Sequence, residues 1–148
     1  MAERNLAGRR FDFGALGGRL RLLVLGTVTG VVAGMGSFMF LKSQFLPWVV
    51  TETWALALVG LAGAYTHFLA DDLAESITLS LVAVMVGLAV HVVAWIAPLW
   101  LLEYPPFARD LLLPQMIGKS LASGLPPYVL TFYGSYFGAL LLGGYFEA

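Results

Sequence analysis

The chain has 148 residues, of which 59% are hydrophobic and only 11% are charged, and its net charge is -1 at pH 7. Soluble domains carry about 25% charged residues, and a chain this short cannot hide so large an apolar share from water. The composition therefore argues against a water-soluble domain and indicates a protein surrounded by the lipid bilayer. The lack of cysteine excludes disulfides and thiolate metal sites, and the near-zero net charge indicates no nucleic-acid partner.

The amino-terminal tail, residues 1–19, is basic and is predicted to lie in the cytoplasm, where membrane proteins concentrate lysine and arginine. Five arginines fall in or just after this tail, against three basic residues in the rest of the chain. With an even number of crossings, both termini then face the cytoplasm, and the cell (cytoplasmic) membrane is the expected location. The predicted anchors to lipid headgroups are Arg9, Arg10, Arg19 and Arg21.

Four apolar stretches approach the roughly 20 residues that a helix needs to cross a hydrocarbon core of roughly 30 Å. They cover about residues 20–41, 49–70, 77–102 and 127–146. The first two links are too short to form domains. Residues 1–148 are therefore expected to form a single membrane domain, an all-α integral membrane protein whose four transmembrane helices make a compact bundle.

The link at residues 103–126 is the only long one, and its prolines argue against a single long helix. Leucine and isoleucine recur in it every four residues, which predicts a short amphipathic segment lying in the membrane interface between helices 3 and 4. An ordinary connecting loop is weighed evenly against a gating or substrate-facing role. The repeated positions are Leu113, Ile117, Leu121 and Leu125.

Small residues at four-residue spacing occur on every predicted span, and this pattern lets two helix backbones approach closely in lipid. Packing within the chain is favoured over an intermolecular face, although four spans have more such rows than their mutual contacts require. The predicted helix-packing residues are Gly26, Gly30, Gly34, Gly60, Ala64, Gly87, Gly134, Gly138 and Gly143.

Tyrosine and tryptophan cluster near the predicted helix ends, where rings with one polar atom favour the headgroup level of a bilayer. We interpret them first as interfacial anchors. They are Tyr128, Tyr133, Tyr136, Tyr145, Trp48, Trp54, Trp95 and Trp100.

The strongest candidate for chemistry is a cluster at the end of the second span, where His67, Asp71 and Glu75 recur every four residues beside Asp72. On a continuous helix the first three share one face, and such a row could bind a cation or relay a proton. The favoured alternative is that the acids lie in water, cap the third helix and interact with its dipole.

His91 lies deep in the third predicted span, on a face of small residues. A neutral imidazole hydrogen-bonded to a neighbouring helix is its expected role. The helical rise places it far from His67, so we expect no metal or haem shared by the two histidines and no cofactor.

The residues match no family pattern, and the favoured function is generic. We expect a protein without catalytic activity that acts as a homo-oligomer or as an accessory subunit of a larger membrane complex, with lipid and other membrane subunits as partners. A small-solute or cation transporter or channel that uses the His67, Asp71, Asp72 and Glu75 cluster is the first alternative. A membrane-embedded metalloenzyme is the second.

Overall fold

The computed structural model of the protein describes residues 13–146. No strand occurs between these two positions, so the prediction of an all-α chain with four principal helices is confirmed. Arg9 and Arg10 lie outside the described residues. The helices are α1 (Phe13–Leu41), α2 (Glu52–Phe68), α3 (Leu73–Ile96), α4 (Pro98–Leu101) and α5 (Pro106–Phe146), with a 3-10 turn at Ser43–Phe45.

Helices α1 and α3 run parallel in close contact, because both present small residues to each other. A Cβ added to Gly26 would lie 2.7 Å from a methyl group of Val82, and one added to Gly30 would lie 2.6 Å from the Ala83 carbonyl oxygen. The contact continues in the same direction along both helices, since the next glycine of α1, Gly34, faces Gly87, four residues after Ala83. Such close approach gives dispersion contacts that bulkier residues would prevent.

Helix α5 runs antiparallel to α3. Gly124 of α5 lies against His91 of α3, and Tyr128, one turn later in α5, lies against Gly87, one turn earlier in α3. Helix α2 fills the space beside α1 and α5, where its Gly63 meets the backbone of α5. The four long helices thus alternate in direction and enclose one core. Its buried members are Ala33, Val59, Ala62, Ala83, Val84, Tyr128 and Phe132.

The region after α4 differs most from the sequence prediction. Residues 103–126 were expected to form a separate interfacial segment, but α5 is one helix of 41 residues that contains nearly all of them together with the predicted fourth span. Pro106 opens this helix, at a position that needs no amide donor. Pro114, Pro126 and Pro127 lie inside it, where each proline removes one backbone hydrogen bond. Packing against neighbouring helices can compensate for such losses.

Two helices in the described part of the chain are long and apolar enough to cross a membrane, Gly17–Leu41 and Leu73–Leu101. Only 39% and 33% of their most apolar windows are buried inside the protein. The outer faces therefore carry large exposed apolar side chains, and α2 and α5 do the same. Examples are Val28, Leu61, Met85 and Leu141.

The aromatic residues divide into two groups that the sequence did not distinguish. Trp48 is 96% exposed at the α1–α2 link, and Trp54, Trp100 and Tyr145 are also exposed. In contrast, Tyr128, Tyr136 and Trp95 are buried, so interpreting these three as interfacial anchors was wrong. Each buried ring packs against a neighbouring helix, because a glycine, a serine or another ring receives it there.

Candidate functional site

Polar side chains gather at the end of the bundle where α1 begins, α2 joins α3 and α5 finishes; we call this the loop end. Arg21 of α1 reaches the link between α2 and α3 and forms an ion pair with Asp71. Its Nη2 also donates to the Leu69 carbonyl oxygen at 3.1 Å and to Asp71 Oδ1 at 3.3 Å. One arginine therefore connects two segments 50 positions apart in the sequence.

The ion pair changes the acidity of Asp71. The hydrogen bond from Arg21 and the positive charge of the guanidinium lower the pKa of the Asp71 carboxyl from its ordinary value of 3.8. Both partners stay exposed to solvent, so the pair holds the link in place with little net contribution to stability.

The two remaining acids begin α3. Asp72 is the N-cap residue, and its Oδ1 accepts a hydrogen bond of 2.7 Å from the Glu75 amide. The Glu75 carboxylate in turn accepts from the Asp71 amide at 3.2 Å. This arrangement satisfies backbone donors that the start of a helix leaves free, and it places negative charge at the positive end of the helix dipole.

His67 points away from the acids and into the bundle. Its Nδ1 lies 3.4 Å from the hydroxyl of Ser76, which donates a 3.0 Å hydrogen bond to the hydroxyl of Tyr136. Gly143 of α5 leaves room for the imidazole, since a Cβ there would lie 3.0 Å from Nε2. Ser76 and Tyr136 are buried, so a short hydroxyl chain leads from the half-buried histidine toward the interior.

The structure thus divides the four residues predicted as a cation or proton site. Asp71 pairs with Arg21, Asp72 and Glu75 stabilise the start of α3, and His67 contacts a serine. Among residues 13–146, no three histidine, aspartate or glutamate side chains come together as a group that could hold a metal ion.

A second polar contact lies deep between α3 and α5. His91 is 1% exposed, and its Nε2 lies 3.3 Å from the Ser120 carbonyl oxygen of the neighbouring helix. A carbonyl can only accept, so Nε2 carries the proton and Nδ1 is the acceptor, which finds no hydrogen-bond partner among the described atoms. One turn away, the hydroxyl of Tyr128 lies on Gly87 and donates to a backbone carbonyl of α3 at 3.4 Å. Gly87 of α3 therefore contacts the ring of Tyr128, and Gly124 of α5 contacts the imidazole of His91.

The predicted helix-packing glycines fall into two environments. A Cβ on any of the packed ones would lie within about 3 Å of a neighbouring helix; this group is Gly26, Gly30, Gly34, Gly60, Gly87 and Gly143. Gly134 and Gly138 of α5 differ, because no described atom of another helix lies within 4 Å of a Cβ built on either one. Ala64 of α2 is only half-buried.

Two apolar grooves open on the outside of the bundle. One lies between α1 and α2 and has a volume of about 250 Å³. The other lies between α3 and α5, is about 320 Å³ in volume, and has Ser80 and Tyr136 in its wall. The first groove begins beside the Arg21–Asp71 ion pair, because Leu69 both lines it and accepts from Arg21.

Several residues of these sites escaped the sequence analysis. Gly124, Ser76 and the partnership of Arg21 with Asp71 each depend on contacts across long sequence separations. The only local signal was the small residue at Gly124, which lay inside the segment interpreted as a proline-rich link.

No family model matches the chain, and neither the curated proteins nor the solved structures include a significant match to it. Function must therefore be inferred from the residues themselves.

Proposed function

We propose that this protein is an integral membrane protein whose four long helices cross the bilayer and that it acts, without catalysis, as a subunit of a larger membrane assembly. The assembly is either a homo-oligomer or a complex in which the chain is an accessory subunit. The observation that carries the proposal is the open glycine pair, Gly134 and Gly138, on the outer face of α5.

Membrane insertion is supported by the outer surface. Large apolar side chains are exposed along α1, α2, α3 and the second half of α5, and in water such an area would cause aggregation. Lipid solvates these side chains, while the helices satisfy their own backbone hydrogen bonds. Helix α2 has only 17 residues, and tilting of its neighbours or local thinning of the bilayer would accommodate it.

The proposed orientation places both termini in the cytoplasm. The alternating directions of the long helices bring the start of α1 and the finish of α5 to the same end of the bundle, as four crossings require. Arg19 and Arg21 lie at this end, which makes it the natural cytoplasmic face under the positive-inside rule. The expected location is the cell membrane.

Assembly through α5 is supported by the close helix–helix contact that exposed glycines allow in lipid. Lipid chains are as apolar as leucine, so close backbone contact, more than the hydrophobic effect, drives helices together there. Gly26, Gly30 and Gly34 of α1 already have such contact with α3, whereas Gly134 and Gly138 have none among the described residues. Exposed Leu130, Phe137 and Leu141 flank the pair and would pack around a partner helix.

The test replaces both open glycines. A Gly134→Ile, Gly138→Ile double variant should keep the fold but lose cross-linked oligomers or the co-purifying partner, because the branched side chains hold a second helix away. The control is Gly118→Ile, which is equally open but lies on another face of the same helix. Unchanged assembly in the double variant would contradict the α5 interface, and a wild type that is purely monomeric without any partner would contradict the function.

A second candidate, proton or cation transport, is favoured by the His67–Ser76–Tyr136 chain. It connects a half-buried titratable group with the interior through hydroxyl groups, which can pass a proton along a hydrogen-bonded row. Proton flux into liposomes measures this. Transport requires that His67→Gln and Tyr136→Phe each reduce the flux, and flux equal to that of empty liposomes would remove the candidate.

A further inference from the structure

The groove between α1 and α2 has the dimensions of a site for one lipid chain. It follows α2 from Leu58 to Leu69, eleven residues or about 16 Å at the helical rise of about 1.5 Å per residue. On α1 the groove is lined by Val28, Thr29 and Val32, and Arg21 lies outside it, seven residues before Val28. Half of a hydrocarbon core of roughly 30 Å is close to this length, so the groove is about one leaflet deep.

The walls of this groove are apolar, and its headgroup end is charged. Val28, Leu61 and Tyr65 lie between the two ends and offer no charge. Arg21 stands seven residues before Val28 on the same face of α1, and its guanidinium contacts the Leu69 carbonyl at the mouth. A molecule that fits the groove therefore has an apolar chain and a polar head that meets the ion pair.

The ion pair offers both signs of charge to that head. A guanidinium has five N–H donors, and the contacts with Asp71 and Leu69 use three of them, which leaves two that can donate to phosphate oxygens. The Asp71 carboxylate has about four lone-pair sites, is 71% exposed, and accepts two of these bonds. It can therefore also accept from an ammonium group.

We propose that the α1–α2 groove binds one phospholipid of the phosphatidylethanolamine type, with an acyl chain along the groove, the phosphate on Arg21 and the primary ammonium on Asp71. The inference rests on the proposed membrane insertion. A primary ammonium donates hydrogen bonds to the carboxylate, which the quaternary ammonium of phosphatidylcholine cannot do. Phosphatidylglycerol brings no positive charge to Asp71 and is disfavoured by the same carboxylate.

The experiment measures which lipid stays with the full-length protein. The protein is placed in nanodiscs that contain equal parts of phosphatidylethanolamine, phosphatidylcholine and phosphatidylglycerol with identical acyl chains. It is then extracted into mild detergent, and native mass spectrometry measures the mass of the protein with its retained lipid. We expect one retained lipid, with phosphatidylethanolamine favoured about tenfold over each competitor, the ratio that one hydrogen bond to a charged group gives.

Two variants test the lipid headgroup site and the acyl-chain site separately. Asp71→Asn should bring the preference for phosphatidylethanolamine over phosphatidylcholine close to one while a lipid is still retained. Leu61→Trp should fill the groove and remove retained lipid of every kind. Leu142→Trp on α5 is the matched control, because Leu142 is 58% exposed and Leu61 is 53% exposed, and it should leave retention unchanged.

The possible failures are distinguishable. Equal retention of the three lipids by the wild type, or a preference that survives Asp71→Asn, would overturn the headgroup assignment. Lipid retention that survives Leu61→Trp would overturn the groove as the site. A chain that stays folded and dispersed in buffer without detergent would instead overturn the proposed membrane insertion.

Discussion

Helices α1 and α5 carry the same sequence pattern in opposite environments. Both have glycines four residues apart, yet a Cβ on Gly30 of α1 would lie 2.6 Å from the Ala83 carbonyl oxygen, whereas one on Gly138 of α5 would meet nothing within 4 Å in the described structure. The spacing therefore predicts that a helix can be approached closely, and it does not say by what. Whether a close contact forms depends on the neighbouring helix, and α3 can approach α1 closely because its Ala83 and Gly87 are small as well.

Of the substitutions that test this difference between α1 and α5, Gly30→Ala is expected to lower stability most. The new methyl group would overlap the Ala83 carbonyl oxygen and lie 2.8 Å from the Cβ of Val86. Neither atom can move by a change of rotamer, so α1 and α3 must separate. We expect a loss of about 3 kcal/mol in the free energy of unfolding, measured by denaturant titration in detergent micelles.

Gly30→Ala has an internal control in Gly138→Ala, which adds the same methyl group to the same pattern. Wild-type stability in the Gly30 variant would show that the α1–α3 contact is looser than the distances indicate, and the two glycine rows would then be equivalent.

A smaller loss is expected for Gly124→Ala, where the obstacle is a side chain. The added Cβ would lie 2.7 Å from Cε1 of His91, so the imidazole must turn away from the Ser120 carbonyl. We expect a loss of about 1 to 3 kcal/mol, because a buried polar contact is broken and the ring has little space to move into.

The double variant Gly124→Ala, His91→Ala tests the origin of that loss. Without the ring, the three atoms nearest to the added methyl group are gone, so Gly124→Ala should cost much less in the His91→Ala background than in the wild type, as a double-mutant cycle measures. Additive losses would show that Gly124 matters for another reason, such as the backbone of α5.

The sequence was sufficient to predict the class of fold because composition and apolar run length depend on nothing distant. All-α structure and four principal helices follow from them. Proline was less reliable: Pro114 and Pro126 argued for broken segments, yet α5 continues through both of them and through Pro127. The intrinsic cost of an interior proline is real, but packing against three neighbouring helices can offset it, and that packing is not visible in the local sequence.

The site was predictable only where its chemistry is local. Asp72 and Glu75 precede an apolar run at the spacing of a helix cap, and their capping role was the favoured alternative. The ion pair of Arg21 with Asp71 was not predicted, because it joins residues 50 positions apart on segments that only the folded bundle brings together. The grooves likewise arise from the angles between helices, which spacing does not specify.

For Gly138→Ala of α5 we expect no loss, or a small gain, in the free energy of unfolding. The methyl group meets no other helix, while alanine favours helix over glycine by up to about 1 kcal/mol. The monomer should therefore unfold at equal or slightly higher denaturant concentration than the wild type. A loss similar to that of Gly30→Ala would mean that α5 already has a partner in the sample, and repeating the titration at several protein concentrations would reveal it.

The smallest effect is expected at the loop end, because its ion pair is exposed to solvent whereas the Gly30 and Gly124 contacts are buried between helices. Because the folded state lowers the pKa of Asp71, the charged carboxylate stabilises the fold above the ordinary value of 3.8, and this contribution is lost as the pH falls through the lower, folded value. An NMR titration of the Asp71 carboxyl in micelles should give a midpoint below 3.8 that moves back toward 3.8 in Arg21→Gln. Raising the salt concentration should reduce the shift as well, since both partners are exposed to the screening ions. A midpoint that ignores both salt and the loss of Arg21 would mean that some other group holds the link between α2 and α3, and the charged mouth of the α1–α2 groove would have to be reassigned.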